Sequence, residues 1–138
     1  MTLTQNKGAK IIRTILALIA FLFGLATIFA GGRVLMGFNP GYVVFRPLLI
    51  YNTAMGVAYL GVGSVLWRSL VRGRYAAGAI FLLNLLVLVA VVLLYCSGGP
   101  VAVDSLQAMS FRTVVWLGLF LAASWLLRSK HCLIKVRS

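Results

Sequence analysis

The stretch that decides the fold is Tyr75–Tyr95, YAAGAIFLLNLLVLVAVVLLY, in which Asn84 is the one strongly polar side chain. An α-helix of about 20 apolar residues, rising ~1.5 Å per residue, crosses a hydrocarbon core of about 30 Å. The stretch lacks the two-residue alternation of a membrane β-barrel strand, and in lipid a helix satisfies every backbone amide within its own segment. The sequence therefore predicts a transmembrane helix here.

Three further apolar stretches share this character, and the last of them is most apolar from about Phe111 to Leu127. Hydrophobic residues make up 62% of the chain and charged residues 10%, whereas soluble domains carry roughly 25% charged residues. We therefore predict an all-α fold, a single transmembrane domain over residues 1–138. Its four-helix bundle has helices at about 11–30, 47–67, 75–95 and 105–128.

The charges are almost all positive and lie between the apolar stretches. Thirteen Lys and Arg oppose one acid, Asp104, which gives a net charge of +12. Ten of the bases fall in the amino-terminal arm, the second connection and the tail: Lys7, Lys10, Arg13, Arg68, Arg72, Arg74, Arg128, Lys130, Lys135 and Arg137. The other side holds Arg33, Arg46 and Arg112. Because basic residues resist translocation, the sequence predicts that both termini are cytoplasmic.

This distribution also indicates the environment of the protein. A nucleic-acid binder clusters its charge on a soluble face, whereas these bases flank apolar spans, where they meet anionic lipid headgroups. We therefore predict a multi-pass protein of a bacterial inner membrane, with membrane lipids and no nucleic acid among its partners. We expect the first helix to be retained, since its length and Ile28 do not suit cleavage by a signal peptidase.

The outer side carries a small group of charged candidates, namely Arg33, Arg46, Asp104 and Arg112. Asp104 precedes an apolar stretch and is followed three residues later by Gln107, a spacing that resembles a capping box. We expect it to cap the fourth helix or to pair with one of the arginines. The alternative is a proton or cation site, because a lone intramembrane acid is often functional.

Arg112 is the most unusual of these charges. In a helix that begins near Ser105 it lies about two turns inside, towards the outer side. A guanidinium there snorkels outward, pairs with an acid, or binds an anionic headgroup or a polar ligand. Trp116, one turn further along, is placed to lie against it.

Small and polar residues recur on the second helix. Asn52, Gly56, Tyr59 and Gly63 follow i, i+4, i+7 and i+11 and share a face. On the third helix, Asn84 lies near the middle of the bilayer. Small residues let helices approach closely, and asparagine hydrogen-bonds between helices. We predict packing surfaces here rather than a ligand pocket. The small-xxx-small spacing recurs at Ala20 with Gly24 and at Gly118 with Ala122.

The connections differ in character. RSLVRGR, residues 68–74, is a short basic turn that makes the second and third helices antiparallel neighbours. The outer loop 31–46 contains a tight turn at Asn39, Pro40 and Gly41. The apolar pieces on either side of that turn are too short to span. We expect them to lie at the membrane interface or to fold back onto the bundle.

The inventory of reactive groups argues against catalysis. The chain has no Glu, no Asp inside the most apolar spans, no nucleophile–base–acid set and no Cys pair at metal spacing. We predict a non-catalytic integral subunit or accessory protein that packs against partner membrane proteins or itself. It has no metal and no cofactor, unless a lipid or quinone is held at Arg33, Arg46 and Arg112.

Two other functions stay open. One is a small channel or carrier for an anionic or neutral solute, with the three outer arginines at its mouth and Asn52 and Asn84 along its path. The other is a component of a quinol-linked redox complex. A packing subunit buries the Asn52/Gly56/Gly63 face without a continuous polar path, whereas a carrier has a wet cavity that reaches both asparagines.

Two segments carry a family resemblance. IIRTILALIAFLFGLATIFAGGRVL, residues 11–35, has an early Arg13, an apolar run and Gly24 before the outer loop. MGVAYLGVGSVLWRSLVRGRYAAGAIFLLNLLVLV, residues 55–89, has a glycine-rich span, a basic turn and a second span. Together they resemble the DoxX-like four-helix membrane proteins. The resemblance implies a four-helix bundle and an association with terminal oxidases, quinol oxidation and redox-linked membrane complexes. It implies no catalytic residue.

Overall fold

Four α-helices in an up-down-up-down order make up the fold. The computed structural model describes residues 2–136 and contains no strand within that range. The helices are α1 (Thr2–Leu35), α2 (Arg46–Arg68), α3 (Leu70–Cys96) and α4 (Val103–Val136). Each is long and apolar enough to cross a membrane. The prediction of an all-α fold with four helices long and apolar enough to span a membrane is confirmed for the described residues. Arg137, counted above in the basic tail, lies outside the described residues.

The first and last helices extend beyond the predicted bounds of 11–30 and 105–128. Their apolar cores continue into polar ends rich in Lys, Arg and Gln, which are good helix formers. α1 ends at Leu35, and the turn that follows it includes Gly37, whose φ of +102° suits a residue without a Cβ. There the Phe38 amide donates to the Arg33 carbonyl at 3.0 Å, as in a helix C-cap.

The connection between α2 and α3 is shorter than the predicted basic turn. It is the single residue Ser69, with φ −147° and ψ 118°. Its hydroxyl accepts from the Arg72 amide at 3.5 Å and so caps α3. Arg72 and Arg74 consequently lie in the first turns of α3 rather than in a loop.

The two loops at the opposite end are closed by glycines. The Asn39 side-chain oxygen accepts from the Gly41 amide at 2.9 Å, and Gly41 has φ +83°. The tight turn predicted at Asn39–Gly41 is therefore present. After α3, Gly98 has φ +79°, and the Gly99 amide donates to the Leu94 carbonyl at 2.8 Å. We call this side of the bundle, with loops 36–45 and 97–102, the loop end. The side with Ser69 and both chain ends is the terminal end.

Packing is uneven around the bundle. The α1–α2 and α3–α4 pairs make the most extensive contacts, α2 and α3 meet over less of their length, and α1 barely touches α4. The main core includes Leu16, Ala17, Ala20, Tyr59, Leu66, Ile80, Trp116, Ala123 and Leu126. A smaller cluster at the loop end contains Leu48, Val91, Val101 and Met109. The bundle is thus two helix pairs that share a core and leave a gap between α1 and α4.

Glycines allow the close approach of α1 and α2. A Cβ at Gly56 would lie 3.1 Å from the Gly24 carbonyl oxygen, and one at Gly63 would lie 3.3 Å from the Ala17 carbonyl oxygen. These two glycines lie in a helix interface, where the sequence placed them. Gly118 on α4 does not, because nothing lies within 4 Å of the position of its Cβ. Within the bundle, the packing expected at Gly118 is not formed.

Candidate functional site

Asn84 is the centre of a buried hydrogen-bonded group. It is fully buried on α3, and its Oδ1 accepts from the Tyr59 hydroxyl at 3.2 Å and from the Tyr51 hydroxyl at 3.3 Å. Both tyrosines come from α2, so the asparagine ties α2 to α3, where those two helices otherwise pack less extensively. Its Nδ2 is buried with no hydrogen-bond partner among the described residues.

Aromatic rings connect this group to α1 and α4. The Tyr59 ring lies 4.8 Å from that of Trp116 and 5.7 Å from that of Phe23, measured between centroids. Trp116 is fully buried, and its indole Nε1 makes no hydrogen bond of good geometry among the described residues, although the Tyr59 hydroxyl lies near enough to interact with it. Trp116 therefore packs on Tyr59; it forms no cation–π contact with Arg112, where the sequence placed it.

Arg112 lies one turn before Trp116 and is half-buried. Its guanidinium is within electrostatic range of the hydroxyls of Tyr42, Tyr51 and Tyr59. Among the described residues, the one contact it makes at hydrogen-bond range is a weak one, 4.0 Å from Nη1 to the Met109 sulfur. Tyr51, Tyr59, Asn84, Arg112 and Trp116 together form what we call the polar cluster.

The polar cluster borders a groove between α1 and α4. The groove has a volume of about 180 Å³, and Arg112 lies in its wall among mostly apolar side chains. Phe23 links the two features, since its ring lies 5.9 Å from that of Phe111 in the groove and also contacts Tyr59. We call this feature the α1–α4 groove; its lining is Phe23, Ala26, Thr27, Ala30, Ala108, Phe111 and Arg112.

The other two outer arginines lie elsewhere at the loop end. Arg33 is exposed at the end of α1, with its guanidinium 4.1 Å from the Phe38 ring centroid and 5.5 Å from that of Phe29. Arg46 is exposed at the start of α2 and borders a separate hollow of about 250 Å³ beneath the 36–45 loop. No contact joins either of them to Arg112 among the described residues. The predicted outer group therefore does not form one site.

Asp104 takes a different position from the expected cap. α4 begins at Val103, so Asp104 lies in its first turn, and the Ala102 carbonyl accepts from the Ser105 and Leu106 amides. The exposed carboxylate makes no hydrogen bond or ion pair with any described residue. It still meets the positive end of the helix dipole. The expected cap is corrected, because α4 begins at Val103, two residues before the start at Ser105 that a cap at Asp104 would require. The expected ion pair is corrected as well, since none of the described basic groups lies within reach of the carboxylate.

The remaining polar position, Asn52, stands apart from the polar cluster. It is half-buried on α2, and its Oδ1 has no partner among the described residues. From Asn84 towards the terminal end, fully buried side chains such as Leu66, Ile80 and Ala123 are aliphatic, and the buried polar atoms there are Ser124 Oγ and Arg74 Nε. Neither of these two atoms has a hydrogen-bond partner among the described residues. In the part of the chain that the structure describes, no polar path runs from Asn84 to the terminal end.

Sequence reasoning missed two members of this region, Tyr51 and Phe23. From its place near the start of a spanning helix, Tyr51 resembles an aromatic residue at the membrane boundary. It also lies two turns before Tyr59, on nearly the same face of α2. That spacing could have indicated a shared partner. Phe23 sits in an unbroken apolar run and carries no such signal. Among the described residues, no three His, Cys, Asp or Glu side chains gather as a metal site would require.

Comparison with protein-family models, with curated proteins and with solved structures finds no match. The resemblance to DoxX-like proteins therefore stays a prediction.

Proposed function

We propose that this chain is a non-catalytic integral membrane subunit or accessory protein that packs against a partner membrane protein or a second copy of itself. In this proposal it lies in a bacterial inner membrane with both termini in the cytoplasm, and it holds a lipid or quinone at the loop end. The orientation rests on the nine described basic residues at the terminal end, against three at the loop end or in its half of the bundle.

The observation that carries the packing role is the exposed face of α4 around Gly118. Glycine within a helix costs about 1 kcal/mol relative to alanine. Gly24, Gly56 and Gly63 offset that cost by letting α1 and α2 approach closely. Gly118 has open space around it and is flanked by exposed apolar side chains, including Val114, Leu121 and Trp125. By the same physical reasoning, it is where a helix of another chain comes close.

The test replaces Gly118 with leucine. We expect Gly118→Leu to disrupt association, because its side chain fills the space that a second helix would occupy. The matched control is Ala90→Leu, which adds the same side chain at an exposed small residue of α3. The measurement is the amount of companion chain retained after mild detergent extraction and affinity purification.

A loss of at least about tenfold in Gly118→Leu, with Ala90→Leu unchanged, is the expected result; tenfold corresponds to ~1.4 kcal/mol. If both variants keep the same companions as the unaltered chain, α4 is not the packing face and this proposal loses its main support. Unchanged helix content by circular dichroism shows that each variant is folded.

The ligand part of the proposal rests on Arg112, because of the three arginines of the loop-end half it is the one that the bundle half-buries. Its side chain belongs to the polar cluster and also lines the α1–α4 groove. A carrier would need a continuous line of polar groups towards the terminal end, and the buried polar atoms there, Ser124 Oγ and Arg74 Nε, have no hydrogen-bond partner among the described residues. A ligand that enters sideways from the membrane suits this geometry better than a solute that crosses the bundle.

A further inference from the structure

The geometry points to a specific site for an anionic phospholipid, with its phosphate on Arg112 and an acyl chain in the α1–α4 groove. This inference rests on the proposed role of the loop-end arginines as a lipid or quinone site, and it names the ligand class. Three observations carry it: the excess of hydrogen-bond donors over acceptors in the polar cluster, the lack of a counter-ion for Arg112 among the described residues, and the shape of the groove together with the depth of Arg112 along α4.

The first observation is an excess of donors over acceptors. The Arg112 guanidinium offers five N–H groups and stays protonated in proteins, yet its one contact at hydrogen-bond range is to the Met109 sulfur. The Asn84 Nδ2 donor is also buried without a partner among the described residues. The one strong acceptor of the cluster, Asn84 Oδ1, is already used by two tyrosines. An oxygen-rich group that enters the groove from outside the chain would satisfy the guanidinium, because Arg112 lines that groove.

The second observation is that Arg112 has no counter-ion within the described part of the bundle. The chain contains no Glu, and its single Asp is exposed and unpaired among the described residues. A cation within a bundle that has no counter-ion of its own favours an anion over a neutral acceptor. A quinone carbonyl offers acceptor atoms but leaves the guanidinium uncompensated. A phosphate offers acceptor atoms and also compensates the positive charge. Guanidinium binds it in a bidentate geometry, through two parallel hydrogen bonds.

The same reasoning selects among phospholipids. The phosphate of a zwitterionic lipid is accompanied by an ammonium group, which is best received by a carboxylate. The site has no such group, because Asp104 lies at the start of α4, two turns before Arg112. A lipid with one net negative charge, such as phosphatidylglycerol, therefore fits better than phosphatidylcholine or phosphatidylethanolamine.

The third observation combines the shape of the groove with the depth of Arg112 in the bundle. α1 and α4 barely meet, and the space between them is lined by Phe23, Ala26, Ala30, Ala108 and Phe111. Three alanines leave room for an acyl chain, and the two aromatic rings offer flat apolar contact. Arg112 lies nine residues into α4, about 13 Å below its start. Its long side chain can extend towards the membrane surface and meet a phosphate there.

The test uses the fluorescence of Trp116, which is one turn from Arg112 and linked to the groove through Tyr59 and Phe23. Trp67 and Trp125 are exposed towards the terminal end and are replaced by phenylalanine, which leaves Trp116 as the single fluorophore. The protein is reconstituted into vesicles that contain phosphatidylcholine and phosphatidylglycerol, with bromine on the acyl chains of one lipid at a time. Bromine quenches tryptophan only at short range, so quenching reports the lipid near the groove.

We expect brominated phosphatidylglycerol to give about fivefold stronger relative binding at Trp116 than brominated phosphatidylcholine. Fivefold corresponds to ~1 kcal/mol, the contribution of one basic residue near an anionic membrane surface. Arg112→Gln should bring the ratio close to one. The control Arg68→Gln removes the charge of an exposed arginine at the terminal end of the bundle, where α2 ends. It should leave the ratio unchanged.

A groove-filling variant keeps the test valid if Arg112→Gln fails to fold. Ala108→Leu narrows the groove and leaves the arginine in place, so it should also reduce quenching by phosphatidylglycerol. Equal quenching by the two lipids in the parent protein overturns the inference, as does a preference that survives Arg112→Gln.

Two further quenching measurements would identify a different ligand. Displacement of the phospholipid by a brominated fatty acid at equimolar amounts overturns the phospholipid in favour of a carboxylate amphiphile. Saturable quenching by a quinone, with no preference between the two phospholipids, overturns the inference but leaves the proposed lipid-or-quinone role standing.

Discussion

Gly56→Ala is expected to destabilise the bundle by about 1–3 kcal/mol, the usual cost of overpacking a tight interface. The added Cβ would lie 2.6 Å from the Ile28 Cγ1 and 3.1 Å from both the Ile28 amide nitrogen and the Gly24 carbonyl oxygen. The Ile28 side chain can rotate away, but the two backbone atoms cannot. α1 and α2 must therefore separate, and theirs is among the most extensive helix pairings in the fold.

The matched control is Gly61→Ala, five residues along the same helix. No atom lies within 4 Å of the Gly61 Cβ position, so the substitution adds no clash. It should be neutral or stabilise by up to about 1 kcal/mol, because alanine is the better helix former. Unfolding is followed by circular dichroism during titration of a mild detergent with a denaturing one. Equal midpoints for the two variants would show that α1 and α2 do not meet closely at Gly56.

Asn84→Leu is expected to cost about 2–4 kcal/mol. The change removes the acceptor shared by Tyr51 and Tyr59 and leaves their hydroxyls unpaired, at ~1–3 kcal/mol for each buried group. Tyr59 is fully buried and has no alternative acceptor in the polar cluster. Tyr51 is half-buried, so its share of the loss is smaller. The same unfolding titration measures the change.

Two controls separate the hydrogen bonds from the change in side-chain volume. Asn52→Leu makes the same substitution at a half-buried asparagine without a side-chain partner among the described residues, and should be close to neutral. Tyr59→Phe should cost about 1 kcal/mol in the parent protein and nothing when combined with Asn84→Leu. Additive effects in that double-mutant cycle would mean that Tyr59 and Asn84 are not coupled.

The fold was largely readable from hydropathy. Stretches such as Tyr75–Tyr95 need lipid on the outside and internal backbone hydrogen bonds, and those two demands leave little beyond helices. Glycine spacing on α2 also indicated a close interface at Gly56 and Gly63. It could not say which glycine faces which neighbour, because a helix presents several faces. Gly118 has the same small-xxx-small spacing and lies on the outside.

The candidate site was less readable. Arg112 stands out from sequence as an intramembrane charge, but its surroundings depend on contacts between helices that are far apart in the chain. Tyr51 and Asn84 are separated by 33 residues, and their hydrogen bond follows from how α3 is rotated about its own axis. That rotation is set by side-chain packing. A charge pattern alone grouped Arg33 and Arg46 with Arg112, whereas loop geometry places them in separate surroundings.

The central claim is that the chain works as a packing subunit that carries an anionic phospholipid. Native mass spectrometry of the full chain, extracted from its own membrane in a mild detergent, tests it most directly. The chain alone has a mass of 15.0 kDa. The claim predicts stoichiometric species that contain a companion chain or a second copy, with an anionic phospholipid retained on the 15.0 kDa chain after further activation. A bare monomer with neither companion nor lipid would contradict it.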